Sequence, residues 1–190
     1  MSDNQVGTYK LVASPFHLDV RGKLSIGVLG KHLLNCADAY AAERGFDVVE
    51  QEGEHYTWVL SRLAVELDDL PSCHESFSIQ TWVENVYRLF ADRNFAICNK
   101  DEKPIGYVRS VWAMISMETR NPANLLDLHG DRITNSICEK ECPIAKPGRI
   151  KVSQQEAVSE YVAKYSDLDI NGHVNSIKYI EHILDIFPLD

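Results

Sequence analysis

Between Ile26 and Tyr40 the apolar residues recur at intervals of three and four. Ile26, Leu29, Leu33, Ala37 and Tyr40 fall on one stripe of a helix. Ser25 stands where a hydroxyl oxygen can accept from a free N–H of the first turn, and Gly45 supplies the stop. A stripe that long needs a broad apolar surface against it, and the segments that follow offer one. Thr57–Leu67 alternates, with Val59, Leu63, Val65 and Leu67 (and Ser61 among them) on one side. Trp58, Leu60, Arg62, Ala64 and Glu66 fall on the other. Phe77, Ile79, Thr81 and Val83 alternate with Ser78, Gln80 and Trp82. Arg93–Asn99 is a shorter run, Lys100–Pro104 a turn cluster, and Ile105–Met117 the longest strand-like segment, closed by Thr119–Pro122. Before the helix, Thr8–Ala13 and Phe16–Val20 read as an edge strand broken at Pro15. One long helix and several meandering strands, without strand–helix alternation, give an α+β class in which an antiparallel sheet wraps a helix.

The opening pattern then recurs. Gly130–Gln155 is charge-rich, contains Pro143, Pro147 and Gly148, and reads as a linker with one short helix. A strand-like run, Ala157–Tyr165, leads into a polar turn. A helix with apolar positions Ile177, Ile180, Leu184 and Phe187 follows, capped by Asn175 or Ser176. Strand, turn and helix at both ends suggest a repeated unit. The division expected is a first domain at 1–130, a linker at 131–156 and the start of a second domain at 157–190. No strands follow the second helix before Asp190, so its apolar face needs cover from the first domain or from a second copy in a homodimer.

Bulk properties narrow the function. A length of 190 residues fits one domain plus part of another, and 45% hydrophobic with 25% charged residues fits an ordinary folded core. The net charge of −9 argues against a general nucleic-acid surface. Lys146–Lys151 is a small positive island, read as a solvated linker. Five cysteines, Cys36, Cys73, Cys98, Cys138 and Cys142, make an odd count without disulfide spacing, which fits reduced thiols in the cytoplasm. Cys138 and Cys142 with His129 lack the second ligand pair of a zinc motif, so neither metal nor cofactor is expected. The start shows no signal-peptide pattern, and no apolar run reaches spanning length.

Candidate chemistry gathers in Tyr165–Ile180, where Asp169, Asn171 and His173 stand at alternate positions just before the second helix. If that segment is extended, the three side chains leave one face. A carboxylate, a carboxamide and an imidazole can together activate water against a carbonyl. Singly, each has a plainer role: Asn171-Gly172 is a turn signal, Asp169 a turn former, and a lone histidine is commonly structural. Backbone N–H groups around Gly172–Asn175 are placed to favour an oxyanion at the helix start. Trp58, Trp82 and Trp112 read as sheet core, Cys36 as a small buried side chain, and Arg62 and Arg120 as paired surface arginines or phosphate contacts.

Asp167-Leu-Asp-Ile-Asn-Gly-His-Val-Asn-Ser-Ile-Lys-Tyr-Ile-Glu-His-Ile-Leu resembles the second-domain signature of the acyl-ACP thioesterases of plant plastids and bacteria. Thr57–Arg62, Thr81-Trp-Val, Val108–Met114 and Thr119-Arg120 resemble first-domain stretches, so the likeness runs from about Tyr9 to Phe187. The resemblance implies tandem hot-dog folds: one complete domain plus the opening strand and helix of a second. It also implies hydrolysis of a fatty acyl thioester on acyl carrier protein, through its phosphopantetheine arm, to free fatty acid in fatty acid biosynthesis.

By resemblance Asp169, Asn171 and His173 are catalytic, with His173 and Asp169 activating water and Asn171 positioning it. The family's further acid or cysteine lies on strands after the second helix, beyond Asp190. Weak hydrolysis by these 190 residues is therefore the expectation. A hot-dog acyl-CoA thioesterase and a non-catalytic acyl-binding remnant are the competing readings. A hydratase is disfavoured, because Gly172 rather than proline precedes this histidine region.

Overall fold

The computed structural model describes residues 5–51, 53–151 and 159–188. Six strands form one antiparallel sheet: β1 (Gly7–Val12), β2 (Val49–Gln51), β3 (Glu54–Leu67), β4 (Ser76–Val86), β5 (Ala91–Cys98) and β6 (Pro104–Ser116), in the order β1-β4-β5-β6-β3-β2. The long helix α1 (Ile26–Glu43) lies in the curl of this sheet, the hot-dog arrangement expected. Its cap is as anticipated: the Ser25 hydroxyl accepts from the Val28 N–H, and Gly45 takes a left-handed φ of 68°. Leu29, Leu33, Cys36 and Ala37 bury their stripe against Phe77, Ile79, Phe95, Ile97 and Val108. A second cluster joins Tyr40, Ala41 and Phe46 to Met114 and to two short helices, α2 (Leu125–His129) and α3 (Asp131–Thr134).

The alternation in β4 holds, with Phe77, Ile79 and Val83 toward α1 and Trp82 on the outer face. That of β3 does not. Its pairing with β6 slips between Leu60 and Arg62, leaving Ser61 as a bulge. One extra residue inverts the parity, so Tyr56 and Trp58 before the bulge and Leu63 and Leu67 after it all pack on the helix side. The short β2 had no strand pattern of its own. Phe16–Val20 is no strand: Pro15–His17 is a 3-10 turn followed by a tight reversal.

Residues 138–147 form a strap across the outer face of the sheet. Cys138, Cys142 and Ile144 are buried there with Trp82, Ala96 and Cys98. The Trp82 indole donates to the Lys140 carbonyl at 2.8 Å, and Arg109 donates to the Cys142 carbonyl at 2.7 Å. Lys146 is not simply solvated, since it bridges Glu84 at 2.9 Å and Asp92 at 3.1 Å. Asn94, Lys146 and Arg109 hold the Glu84 carboxyl below the usual range despite its partial burial. Trp82→Ala removes the strap's main anchor and should cost about 3–5 kcal/mol. Limited proteolysis should then cut within 138–147 well below the melting temperature.

Beyond the strap the opening turn is repeated with the same hydrogen bonds 150 positions later (Asp19 and Asp169). In the first copy, Asp19 Oδ1 accepts from Arg21 N and Lys23 N, Asp19 N donates to Lys23 O, and Gly22 N donates to Asp19 O. In the second, Asp169 Oδ1 accepts from Asn171 N and His173 N, Asp169 N donates to His173 O, and Gly172 N donates to Asp169 O. Gly22 and Gly172 take φ of 73° and 71°, and a 3-10 turn precedes each loop (Pro15–His17 and Tyr165–Asp167). The second loop leads into α4 (Ser176–Leu184), capped by Asn175. Of the predicted run Ala157–Tyr165, residues 157 and 158 lie outside the described residues, and 159–164 are not a strand.

Helix α4 docks on α1 through a close approach. Ile177, 1% exposed, sits over Gly30, where a Cβ would lie 2.6–2.9 Å from three of its side-chain carbons. The loop is fastened to α4 through buried Asp167. Its carboxylate accepts from Tyr161 Oη and Lys164 N, both at 2.8 Å, and lies 3.3 Å from His182 Nε2.

Candidate active site

A cavity of about 310 Å³ runs between α1 and the sheet, and the second loop closes one side of it. Leu34, Ala37 and Ala41 of α1 form one wall; Trp58, Leu60, Val83, Ala91 and Trp112 form the opposite one. Asp169, Asn171 and His173 all line it, with Val174, Asn175 and Ser176. An apolar slot ended by a few polar groups suits a ligand with a long hydrocarbon tail and one reactive polar end. The two tryptophans are anchored by their polar edges: Trp58 Nε1 donates to Phe46 O at 2.9 Å and Trp112 Nε1 to Ser110 Oγ at 2.8 Å. Of the three tryptophans read as sheet core, Trp58 and Trp112 thus border the cavity, and Trp82 alone lies under the strap.

The trio converges through a turn and not through an extended strand. Asp169-Ile-Asn-Gly is the reversal, closed by the Leu168–Val174 bridge, and it puts the three side chains on one wall. The turn also uses three of the backbone donors assigned to an oxyanion. Gly172 N goes to Asp169 O, His173 N to Asp169 Oδ1 at 3.0 Å and Asn175 N to Asp167 O. Val174 N takes no part in these bonds, so donors for a developing negative charge come from it and from side chains. Asp169 Oδ2 and the Asn171 amide have no protein partner among the described residues, so both are available to a ligand.

His173 has a partner that the sequence did not reveal. Arg120 Nη1 lies 3.1 Å from His173 Nε2, and Arg120 has no carboxylate partner among the described residues. Its backbone has φ of 62°, unusual for a residue other than glycine. The turn after β6 holds it there: Arg120 N donates to Ser116 O and Ser116 N to Asn121 O, both at 3.0 Å.

Two further buried basic side chains lie near the cavity, Arg93 in its lining and His129 against Trp58. Arg93, on β5, lines it while only 6% exposed, donates to Ala37 O at 3.1 Å and lies over the Tyr40 ring. Burial pulls its pKa down to about 10, which leaves it charged at neutral pH. His129 stacks on Trp58 with centroids 5.8 Å apart, and its Nδ1 has no partner. Burial, then the Arg132 guanidinium, push its pKa down to about 4. Among the described residues no cluster of histidine, cysteine or acid is arranged to hold a metal. Cys138 and Cys142 belong to the strap on the outer face of the sheet, whereas His129 stacks on Trp58 on the other side.

The depressed His129 pKa makes stability pH-dependent. Above 6.5 the imidazole is neutral in both states. As pH falls from 6.5 toward 4, the unfolded chain takes up a proton that the folded chain refuses, and stability is lost. The loss at pH 4 should be on the order of 2 kcal/mol, below the face value of the shift because solvent screens part of the charge. His32, lowered by burial and by His17, adds in the same direction. His129→Phe should flatten this limb in urea titrations between pH 7 and 4. An unchanged slope would assign the acid sensitivity elsewhere.

Comparison with known proteins agrees with this fold. Residues 8–130 match the acyl-ACP thioesterase N-terminal domain, and residues 150–190 match the acyl-ACP thioesterase C-terminal domain. The chain is 28% identical to the chloroplastic palmitoyl-acyl carrier protein thioesterase of Gossypium hirsutum over 177 residues. That match takes in 87% of this chain and spans 43% of the relative. A crystal structure of an acyl-ACP thioesterase from Bacteroides thetaiotaomicron is 61% identical, with a TM-score of 0.89 over 99% of this chain and 76% of that one. The 12:0-ACP thioesterase from Umbellularia californica, 18% identical, shares the fold with a TM-score of 0.73, over 97% of this chain and 75% of its own. No helix among the described residues is long and apolar enough to cross a membrane. On both domain matches and the Bacteroides likeness, the chain belongs to the acyl-ACP thioesterase family.

Proposed function

We propose that the protein hydrolyses the thioester of a fatty acyl group carried on acyl carrier protein, releasing free fatty acid for lipid synthesis. The observation that carries this reading is the shared cavity. An apolar slot built by the first unit, 1–130, meets Asp169, Asn171 and His173 from the second, 157–190, across a linker at 131–156. The slot takes the acyl chain and leaves the thioester carbon beside the polar trio. Asp169 and His173 act on water and carbonyl, and Asn171 holds one or the other with its free amide. The phosphopantetheine arm then enters from the side of the second loop. Five free thiols, four of them buried, fit a reducing compartment, and we place the protein in the cytoplasm. A homodimer over exposed Tyr179 and Ile183 of α4 and Phe187 just beyond it belongs to the same reading.

The test is release of free fatty acid from matched acyl groups on carrier protein and on coenzyme A. The expected result is slow, His173-dependent release that is faster from carrier protein. Equal or faster turnover of the coenzyme A thioester would overturn the carrier assignment. Saturable acyl binding without turnover would overturn the catalytic one.

A further inference from the structure

We infer that Arg120 is a positioning residue which fixes His173 in one neutral tautomer, making the imidazole a hydrogen-bond donor to the thioester and not the base. This rests on the hydrolytic reading above and divides the labour within it. A guanidinium carries only donors and stays protonated, so at 3.1 Å from Nε2 it requires a lone pair there. The imidazole proton must then be on Nδ1, which becomes a donor. The loop's backbone donors at Gly172, His173 and Asn175 are engaged within the turn, so a side-chain donor has a place to fill at the developing oxyanion. Asp169 keeps one oxygen on the turn and the other uncommitted, and Asn171 keeps its amide free.

The reaction balances on these groups. Asp169 takes a proton from water as the water oxygen bonds to the carbonyl carbon. The resulting oxyanion is held by His173 Nδ1–H and the Asn171 amide. As the carbonyl re-forms the C–S bond breaks, and the leaving thiolate takes the proton back from Asp169. The products are the free acid and the carrier thiol, and His173 neither gains nor loses a proton.

The left-handed backbone of Arg120 supports a role beyond turn formation. A glycine would sit there without strain, so a long cationic side chain held at φ of 62° is kept against the local preference. Arg120 comes from the first unit and His173 from the second, so the pair also ties the histidine to the slot that receives the acyl chain.

The test joins a spectroscopic readout to kinetics. Long-range nitrogen–proton correlation spectra of the imidazoles, with His173→Ala for assignment, report the tautomer without substrate. The unsubstituted protein should show His173 protonated at Nδ1. Arg120→Gly, which relieves the backbone, should melt no lower yet let His173 revert toward the Nε2–H form. Its kcat should fall about 10- to 100-fold with KM within about twofold. Arg120→Lys, still a donor, should retain the tautomer in part. An Nε2–H form in the unsubstituted protein, or a glycine variant with unchanged tautomer and kcat, would overturn the inference. If His173→Ala retains full activity, the hydrolytic reading of the trio fails instead, whatever the tautomer spectra show.

Discussion

Gly30→Leu should cost the protein most of its activity while leaving the first unit folded. A helix gains roughly 1 kcal/mol on losing an interior glycine, so α1 itself is strengthened. The new side chain, however, needs space already filled by Ile177, whose carbons stand 2.6–2.9 Å from where even a Cβ would be. Ile177 is buried and branched, and cannot swing aside as a lysine or glutamate end could. Helix α4 must therefore lift, carrying the loop that starts at its N-terminus and with it Asp169, Asn171 and His173. A displacement near 1 Å at a reacting group can cost about 100-fold, and kcat/KM should drop at least that far. The melting temperature of the sheet and α1 should hold, and protease should now cut around 165–180. Pairing Gly30→Leu with Ile177→Ala should restore part of the loss, because the smaller side chain at 177 frees room for the larger one at 30. A Gly30→Leu protein as active as its parent would mean that the helix contact does not set the site.

The second large effect is expected at Asp169, and the first copy of the turn provides its control. Asparagine retains the oxygen that accepts from the Asn171 and His173 N–H groups, so Asp169→Asn should preserve the loop and change stability by less than about 0.5 kcal/mol. It removes the charge that would take a proton from water, and kcat should fall roughly 10²- to 10⁴-fold. Asp19→Asn changes the same group in the same turn, beside Arg21 and Lys23 in place of Asn171 and His173. It should leave activity untouched and cost little, since the Asp19–Arg21 pair is largely exposed. Equal losses from the two substitutions would make the Asp169 effect one of folding, and wild-type turnover by Asp169→Asn would end its role as proton acceptor.

The parts of this molecule set by simple periodicity could be read from the chain. The α1 stripe and its Ser25 cap, the alternation of β4 and the antiparallel sheet follow from which side chains must face a common core. The recurrence of the opening segment was also visible as strand, turn and helix at both ends, although residues 159–164 of its second strand-like run are not a strand. What stayed hidden has a physical cause in each case. The bulge at Ser61 depends on pairing with a distant strand, so no local pattern announces it. Arg93 stands at an inward strand position where a cation is normally excluded, and its shelter comes from the Ala37 carbonyl and the Tyr40 ring, both remote in sequence. Arg120 reaches His173 across 53 positions, and its left-handed backbone comes from a turn whose hydrogen bonds to Ser116 no glycine in the sequence announces. The trio could be identified, but its alternate spacing pointed to a strand, and it is a turn's hydrogen bonds that gather it.

The extra residue in β3 gives this strand two side-chain reading frames, joined at Ser61. Removing Ser61 would leave Leu60, Arg62 and Leu63 in plain alternation, with Trp58 and Leu60 still facing the slot. A residue lost elsewhere in the strand acts differently, because it turns every side chain on one side of the gap to the opposite face. Lost between Trp58 and Leu60, it would carry the indole away from Phe46 O and the His129 ring, and the slot would lose one of its two tryptophan walls. Inherited variation in length should accordingly be confined, within this sheet, to Ser61 and the hairpin ends.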